Sequence, residues 1–146
     1  DVNYFGVISV VDAFTPALAK GGGAIGNVIS IGGLTNFTPY PTYSASKAAA
    51  HSMTQAYRAM LGGHGISVSG IYPGPVDSDM AAGIEMDKAT PRSVAARTLD
   101  GILAGAEEIF PDDMADQFGG VWLDSPKASE AQVAEMMKMM AGQAEA

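Results

Sequence analysis

The chain has 146 residues, 47% of them hydrophobic, with 18 glycines, 8 prolines and no cysteine. That is one domain's worth of sequence, long enough to bury a real core, with the composition of an ordinary α/β protein. Sixteen acidic residues against eight basic ones leave a net charge of −8, which argues against nucleic acid as a partner because phosphate binding needs clustered Lys and Arg. Without a thiol, disulfides and thiolate metal sites are excluded. No unbroken run of about eighteen apolar residues occurs, so no membrane span is expected. No secretory signal pattern is present either, and a cytoplasmic protein is the default expectation.

The opening Asp1-Val2-Asn3-Tyr4-Phe5-Gly6 runs straight into Val7, Ile8, Val10, Val11 and Phe14. It reads as the interior of a helix, and the chain as one that begins in the middle of a larger fold. Val7, Val11 and Phe14 repeat at helical spacing while Ile8 and Val10 lie off that stripe, the pattern of a helix covered on two sides. Gly21-Gly22-Gly23 ends it. Asn27-Val28-Ile29-Ser30-Ile31 is nearly continuous in apolar residues, as parallel strands covered on both faces are. After a turn-rich loop, an alanine-rich helix is predicted from about Thr42 to Leu61, stopped by Gly62-Gly63-His64-Gly65. A second strand, Ile66 to Tyr72, is broken by Pro73. Thr90-Pro91 is a helix start, threonine at the cap and proline in the first turn, and that helix runs to Ala104. Glu108-Ile109-Phe110 is a short candidate third strand. In the tail, Ser129 and Gln132 suggest a capping box ahead of an apolar stripe of Val133, Met136, Met137 and Met140. The alternation of helices and strands predicts an α/β fold: a small parallel sheet with helices on both faces.

Gly21, Gly23 and Gly26 fit the G-x-G-x-x-G spacing of a dinucleotide turn, but in reversed context. That turn must follow a strand and open a helix, and this one follows a helix and opens a strand. It is read as a helix stop. Tyr43-Ser44-Ala45-Ser46-Lys47 carries more. Residues four apart share a helix face, so the Lys47 charge can act directly on the Tyr43 hydroxyl. Two unit charges ~6 Å apart at an effective dielectric of ~20 interact by ~2.8 kcal/mol, enough to make a phenol usable in proton transfer near neutral pH. Ser30 closes the first strand and Pro73-Gly74 follows the second, and open parallel sheets bind ligands outside those strand ends. A hydroxyl, a phenol, an ammonium and a glycine-containing turn would then meet in one crevice.

With those residues in place the chain resembles the C-terminal portion of a short-chain dehydrogenase/reductase. The matching segments are Asn3-Tyr4-Phe5-Gly6, Asn27-Val28-Ile29-Ser30, Tyr43-Ser44-Ala45-Ser46-Lys47 and Pro73-Gly74-Pro75-Val76-Asp77-Ser78-Asp79-Met80. The resemblance implies a partial Rossmann fold, with residues 1–146 forming the C-terminal part of a single domain. It also implies NAD or NADP as cofactor and a small alcohol or carbonyl substrate. Tyr43 would be the general acid or base, Ser30 would hold the substrate oxygen, and Lys47 would bind the nicotinamide ribose and ease proton loss from Tyr43. Asn3 would hold a water that links Lys47 to solvent. Pro73, Gly74, Val76 and Ser78 would line the nicotinamide side. Ile29 stands where the family usually has a first serine. The family's N-terminal half, with its Gly-rich first turn, has no counterpart. The family commonly pairs the helices of Asn3 and Tyr43 between subunits, which implies a homodimer or homotetramer.

Two other readings compete. The epimerase/dehydratase branch also uses Tyr-x-x-x-Lys, but its hydroxyl residue typically lies farther upstream than the thirteen residues from Ser30 to Tyr43. The chain could instead be a non-catalytic remnant or interaction module. His51 and His64 read as a helix-surface and a loop histidine, and Asp112, Asp113 and Asp116 as a solvated acidic turn rather than a cation site; no metal is expected. Ile31, Gly32, Phe37, Tyr40 and Met80 to Met86 read as the substrate pocket. The unpaired edge of the first strand predicts association or poor solubility.

Overall fold

The computed structural model describes residues 1–83 and 85–144, and the side chains of residues 1–83 and 85–139. Ile84 of the expected pocket and the Met140 side chain of the expected tail stripe lie outside these. Three parallel strands, β1 (Gly23–Val28), β2 (Ile66–Ile71) and β3 (Glu108–Ile109), form one sheet in the order β1-β2-β3. β1 and β2 pair along their whole length, from Gly23 opposite Ile66 to Val28 opposite Ile71. β3 adds only Glu108 opposite Gly70 and Ile109 opposite Ile71. The carbonyl of Val68 lies beyond β3's reach, and Arg58 takes it instead through Nε at 3.1 Å. The same guanidinium holds Glu107 and Glu108 at 3.2 and 2.9 Å.

Helices α1 (Val7–Gly21) and α2 (Pro41–Leu61) cover one face. Val11 of α1, Tyr57 and Leu61 of α2, and Ile66 and Val68 of β2 form a buried cluster there, with Ile25 of β1 against it. Tyr57 also donates its hydroxyl to Asp12 of α1 at 3.1 Å, and burial with that carboxylate pushes the phenol up to about 12. Inside the same layer Asn27 of β1 donates to Thr54 of α2 at 2.9 Å. Helix α3 (Pro91–Leu103) lies on the opposite face, where Ile102 reaches Gly26 and Gly101 lies under Ile109. Parallel strands with helices on both faces are what the alternation predicted.

Beyond the carboxyl ends of the strands, α4 (Asp113–Asp124) and α5 (Pro126–Ala144) form a hairpin. A second core joins them to the loop after β1 and to α2: Ile29, Ile31, Ala50, Tyr72, Ala115, Phe118 and Val133. Four expectations are corrected here. The first strand is Gly23–Val28 rather than Asn27–Ile31, and Ile29 and Ile31 are apolar because they enter this second core. Helix α4, unanticipated, begins where a solvated acidic turn was expected: Asp112 is buried and caps it, accepting the amide of Ala115 at 2.8 Å. Helix α5 starts one turn earlier than Ser129; Ser125 caps it through the Ala128 amide, and Ser129 is buried. His51 is half-buried rather than a surface residue.

The N-terminal segment qualifies a further expectation. Val2–Gly21, one wide turn followed by α1, is long and apolar enough by composition to cross a membrane, with a mean hydropathy of 1.4 over its most apolar stretch. In the fold it lies along β1. Val2, Val7, Val10, Phe14 and Leu18 line a groove of about 550 Å³ with Ile25 and Val28. Among the described residues β1 has a strand neighbour on one side only.

Candidate active site

The site is built where the chain leaves β1 and β2. Ile29 continues the ladder to the carbonyl of Ile71 at 2.7 Å, and Ile31 donates to the carbonyl of Pro73 at 3.2 Å. Those two bonds hold the loop after β1 beside the loop after β2, so Ser30 and Pro73 share one sheet end. The Ser30 side chain accepts the Gly32 amide at 3.1 Å. That fixes the oxygen while leaving its own O–H to donate elsewhere, since a hydroxyl carries one donor besides its lone pairs.

The loop then folds onto α2. Ile31–Gly33 makes a single 3-10 turn, and Gly33 comes so close to α2 that a Cβ on it would sit 2.9 Å from the backbone carbonyl of Lys47. Tyr40 and Pro41 open α2, with proline in its first turn. Tyr43 and Lys47 follow one helical turn apart. Lys47 reaches back to the sheet, donating Nζ to the Val28 carbonyl at 3.2 Å. Its ammonium stands 5.7 Å from the centre of the Tyr43 ring, within cation–π range. Burial lowers the Lys47 pKa, since half of its water shell is replaced by protein that solvates charge poorly. Tyr43 itself is 38% exposed.

Asn3 joins from the N-terminal turn. It donates Nδ2 to the Ser46 hydroxyl at 3.1 Å, and Ser46 donates in turn to the carbonyl of Tyr43 at 2.7 Å. The side chain of Asn3 thus bonds the residue before Lys47, 43 positions away in sequence. Among the expected cofactor contacts, Pro73 and Gly74 lie at the end of β2 beside Ser30. Val76 and Ser78 stand farther along the same loop, which pairs with Ala89 through Val76. The Ser78 hydroxyl turns back to the Val76 carbonyl at 3.2 Å.

The pocket expectation holds less well. Ile31 is buried in the second core, Gly32 is buried with it, and Phe37 packs against Phe118 with ring centres 6.0 Å apart. Tyr40 and Met80 are open to solvent. Three residues that bear on the site were not singled out for it from the sequence. Asp112 accepts the Gly74 amide at 2.9 Å with the carboxylate oxygen that does not cap α4. Ser129 bonds Thr35 at 2.7 Å. His51 meets the hydroxyl of fully buried Tyr72 through Nδ1 at 2.7 Å, with Trp122 edge-on to its ring. Burial is the main reason that the His51 pKa is lowered; Glu108 opposes and Arg58 reinforces the shift. The Asp112-Asp113 pair followed by Phe118 and Trp122 carried a legible cap signal; nothing in sequence announced the other two contacts.

Comparisons with known proteins bear on the family and the fold. The short chain dehydrogenase family matches residues 1–89. An uncharacterized oxidoreductase of Staphylococcus epidermidis is 36% identical over 88 residues, 58% of this chain and 37% of that protein. The trans-4-hydroxycyclohexanecarboxylate dehydrogenase of Sinomonas cyclohexanicum is 34% identical over 83 residues, 57% of this chain and 30% of that protein. The crystal structure of a short chain dehydrogenase from Burkholderia cenocepacia in complex with NADP is similar with a TM-score of 0.84 and 36% identity. That similarity covers 90% of this chain and 57% of the other. The chain therefore spans about a third of the length of these two curated relatives.

Proposed function

The chain belongs to the short-chain dehydrogenase family, and from that membership we propose that it carries the proton-transfer part of an NAD(P)-dependent oxidoreductase acting on an alcohol or carbonyl. Bound nicotinamide would supply or accept a hydride. The residues here fit the nicotinamide-ribose end of such a cofactor. An ammonium has three donors, and Lys47 has one acceptor among the described residues, Val28; two N–H groups remain for the paired ribose hydroxyls. The Pro73-Gly74 turn would face the ring. The adenosine end would be held by segments other than those described.

In this reading Tyr43 exchanges a proton with the substrate oxygen, Ser30 donates a hydrogen bond to that same oxygen, and Lys47 stands beside the phenol to hold the ribose. Asn3 acts through Ser46 to fix the turn of α2 that bears both. The observation that carries the proposal is the Lys47 tether to the end of β1, with Tyr43 one turn away. A cytoplasmic enzyme that forms a homodimer or homotetramer belongs to the same proposal.

The test is fluorescence titration of the chain with NADPH and NADH, wild type against Lys47→Ala. We expect saturable binding by the wild type and at least ~10-fold weaker binding by the variant, the loss of about one charge-assisted contact. Wild-type protein that leaves both nucleotides unchanged would confine the enzyme reading to a longer protein.

A further inference from the structure

Residues that the family match leaves out also help to fasten the site. The match ends at residue 89, and the α4–α5 hairpin starts beyond it, yet the hairpin touches both loops that carry the proposed contacts. Asp112, at the start of α4, is 6% exposed and uses its two carboxylate oxygens separately: one takes the Ala115 amide at 2.8 Å, the other the Gly74 amide at 2.9 Å. Ser129 of α5, wholly buried, bonds the hydroxyl of Thr35 at 2.7 Å in the loop that follows Ser30. Phe118 of α4 lies against Phe37 of the same loop. We infer that the α4–α5 hairpin is a brace, in which Asp112 positions the Gly74 turn and Ser129 positions the Ser30 loop. The inference deepens the function proposed above and rests on that reading for its kinetic consequences; Asp112 and Ser129 are positioning residues and touch neither cofactor nor substrate.

The chemistry of Asp112 allows its two duties to be separated. An asparagine can still accept the Ala115 amide through its oxygen, as asparagine does at helix starts. Its NH2 group would then face the Gly74 N–H, donor against donor. Asp112→Asn therefore keeps the cap of α4 and breaks the link to the turn. Asp112→Ser also caps and is too short to reach Gly74. Asp112→Ala loses both bonds and serves as the variant in which α4 itself is weakened.

The experiment measures amide hydrogen exchange at Gly74 and Ala115 by NMR, together with steady-state kinetics and melting temperature, in the wild type and these variants. The brace predicts exchange at Gly74 roughly tenfold faster in Asp112→Asn and Asp112→Ser, the size of one lost hydrogen bond, with Ala115 protection retained. It predicts a rise of similar size in KM for the nicotinamide cofactor with kcat within about twofold. Ser129→Ala should raise KM for the carbonyl substrate and leave that for cofactor unchanged. Equal exchange at Gly74 in wild type and Asp112→Asn would overturn the brace. So would faster exchange with an unchanged cofactor KM. If the wild type shows neither binding nor turnover, that result falls on the proposed function, and the Gly74 exchange rate alone decides the brace.

Discussion

Gly33→Ala tests how α2 is seated. A Cβ at this position would stand 2.8 Å from the Cγ2 of Ile29 and 2.9 Å from both the carbonyl carbon and the oxygen of Lys47. The last two atoms belong to the α2 backbone and cannot rotate away, so either the loop or the helix must move. Gly33 is not among the positive-φ glycines, so alanine meets no conformational penalty and the contact alone opposes it. Overpacking of this kind costs ~1–3 kcal/mol. The stiffer unfolded chain returns ~0.4–1 kcal/mol. The net loss then runs from about 0 to about 2.6 kcal/mol and centres on ~1.3 kcal/mol, a fall in melting temperature of about 4 °C for a domain of this size. Circular-dichroism melts measure it, with Gly62→Ala as the control, because a Cβ there meets no atom within 4 Å. The control should melt no lower than the wild type. Nucleotide affinity should fall more than stability in Gly33→Ala, since the displaced segment is the one that bears Lys47. A Gly33→Ala protein that melts at or above the wild-type temperature would refute the reasoning.

Thr54→Val leaves the buried amide of Asn27 without its acceptor and should cost about 1–3 kcal/mol, read as a lower urea midpoint with unchanged slope; an unchanged midpoint would show the bond to be idle. Because the folded-state pKa of His51 lies below its unfolded value near 6.5, the unfolded chain binds the proton first, so stability is intact above about pH 6.5 and is lost as pH falls through that value towards the folded pKa. Urea midpoints between pH 7.5 and 5 should drop in the wild type and drop less in His51→Gln; parallel curves would count against burial as the cause. The apolar groove along β1, with Val10, Phe14 and Val28 each about 60% exposed, predicts that the isolated chain sediments as an oligomer or precipitates; a stable, monodisperse monomer would contradict it.

How far the fold could be read from sequence depended on whether the signal was local. Helix α2 and strand β2 declare themselves by composition and by the Gly and Pro that end them, and Thr90-Pro91 marks α3 to the residue. β1 is Gly-Ala-Ile-Gly-Asn-Val, a segment that reads as a turn until it is paired with β2. The stronger apolar run beside it, Ile29 to Ile31, is a core segment at the strand end. Helix α4 carries Gly119-Gly120 in its middle, poor helix formers, and Gly119 is there because the ring of Phe110 lies flat against it. Ser129 follows an unlucky pattern: its spacing to Gln132 imitates a cap, while Ser125 with Pro126 behind it is the real one. In the site, Tyr43 and Lys47 were legible because four residues on a helix fix their proximity. Asp112 on Gly74 and His51 on Tyr72 join positions 38 and 21 residues apart, and only the folded chain brings those together.

Turnover by Tyr43→Phe is the most direct test of the whole account. NAD(P)H consumption with a carbonyl substrate should fall by at least ~100-fold when the phenolic hydroxyl is removed, the lower end of what a positioned acid–base group contributes, while nucleotide binding and melting temperature stay at wild-type values. A Tyr43→Phe protein that consumes NAD(P)H at the wild-type rate would take the phenol out of the chemistry, and the oxidoreductase site built around Ser30, Tyr43 and Lys47 with it.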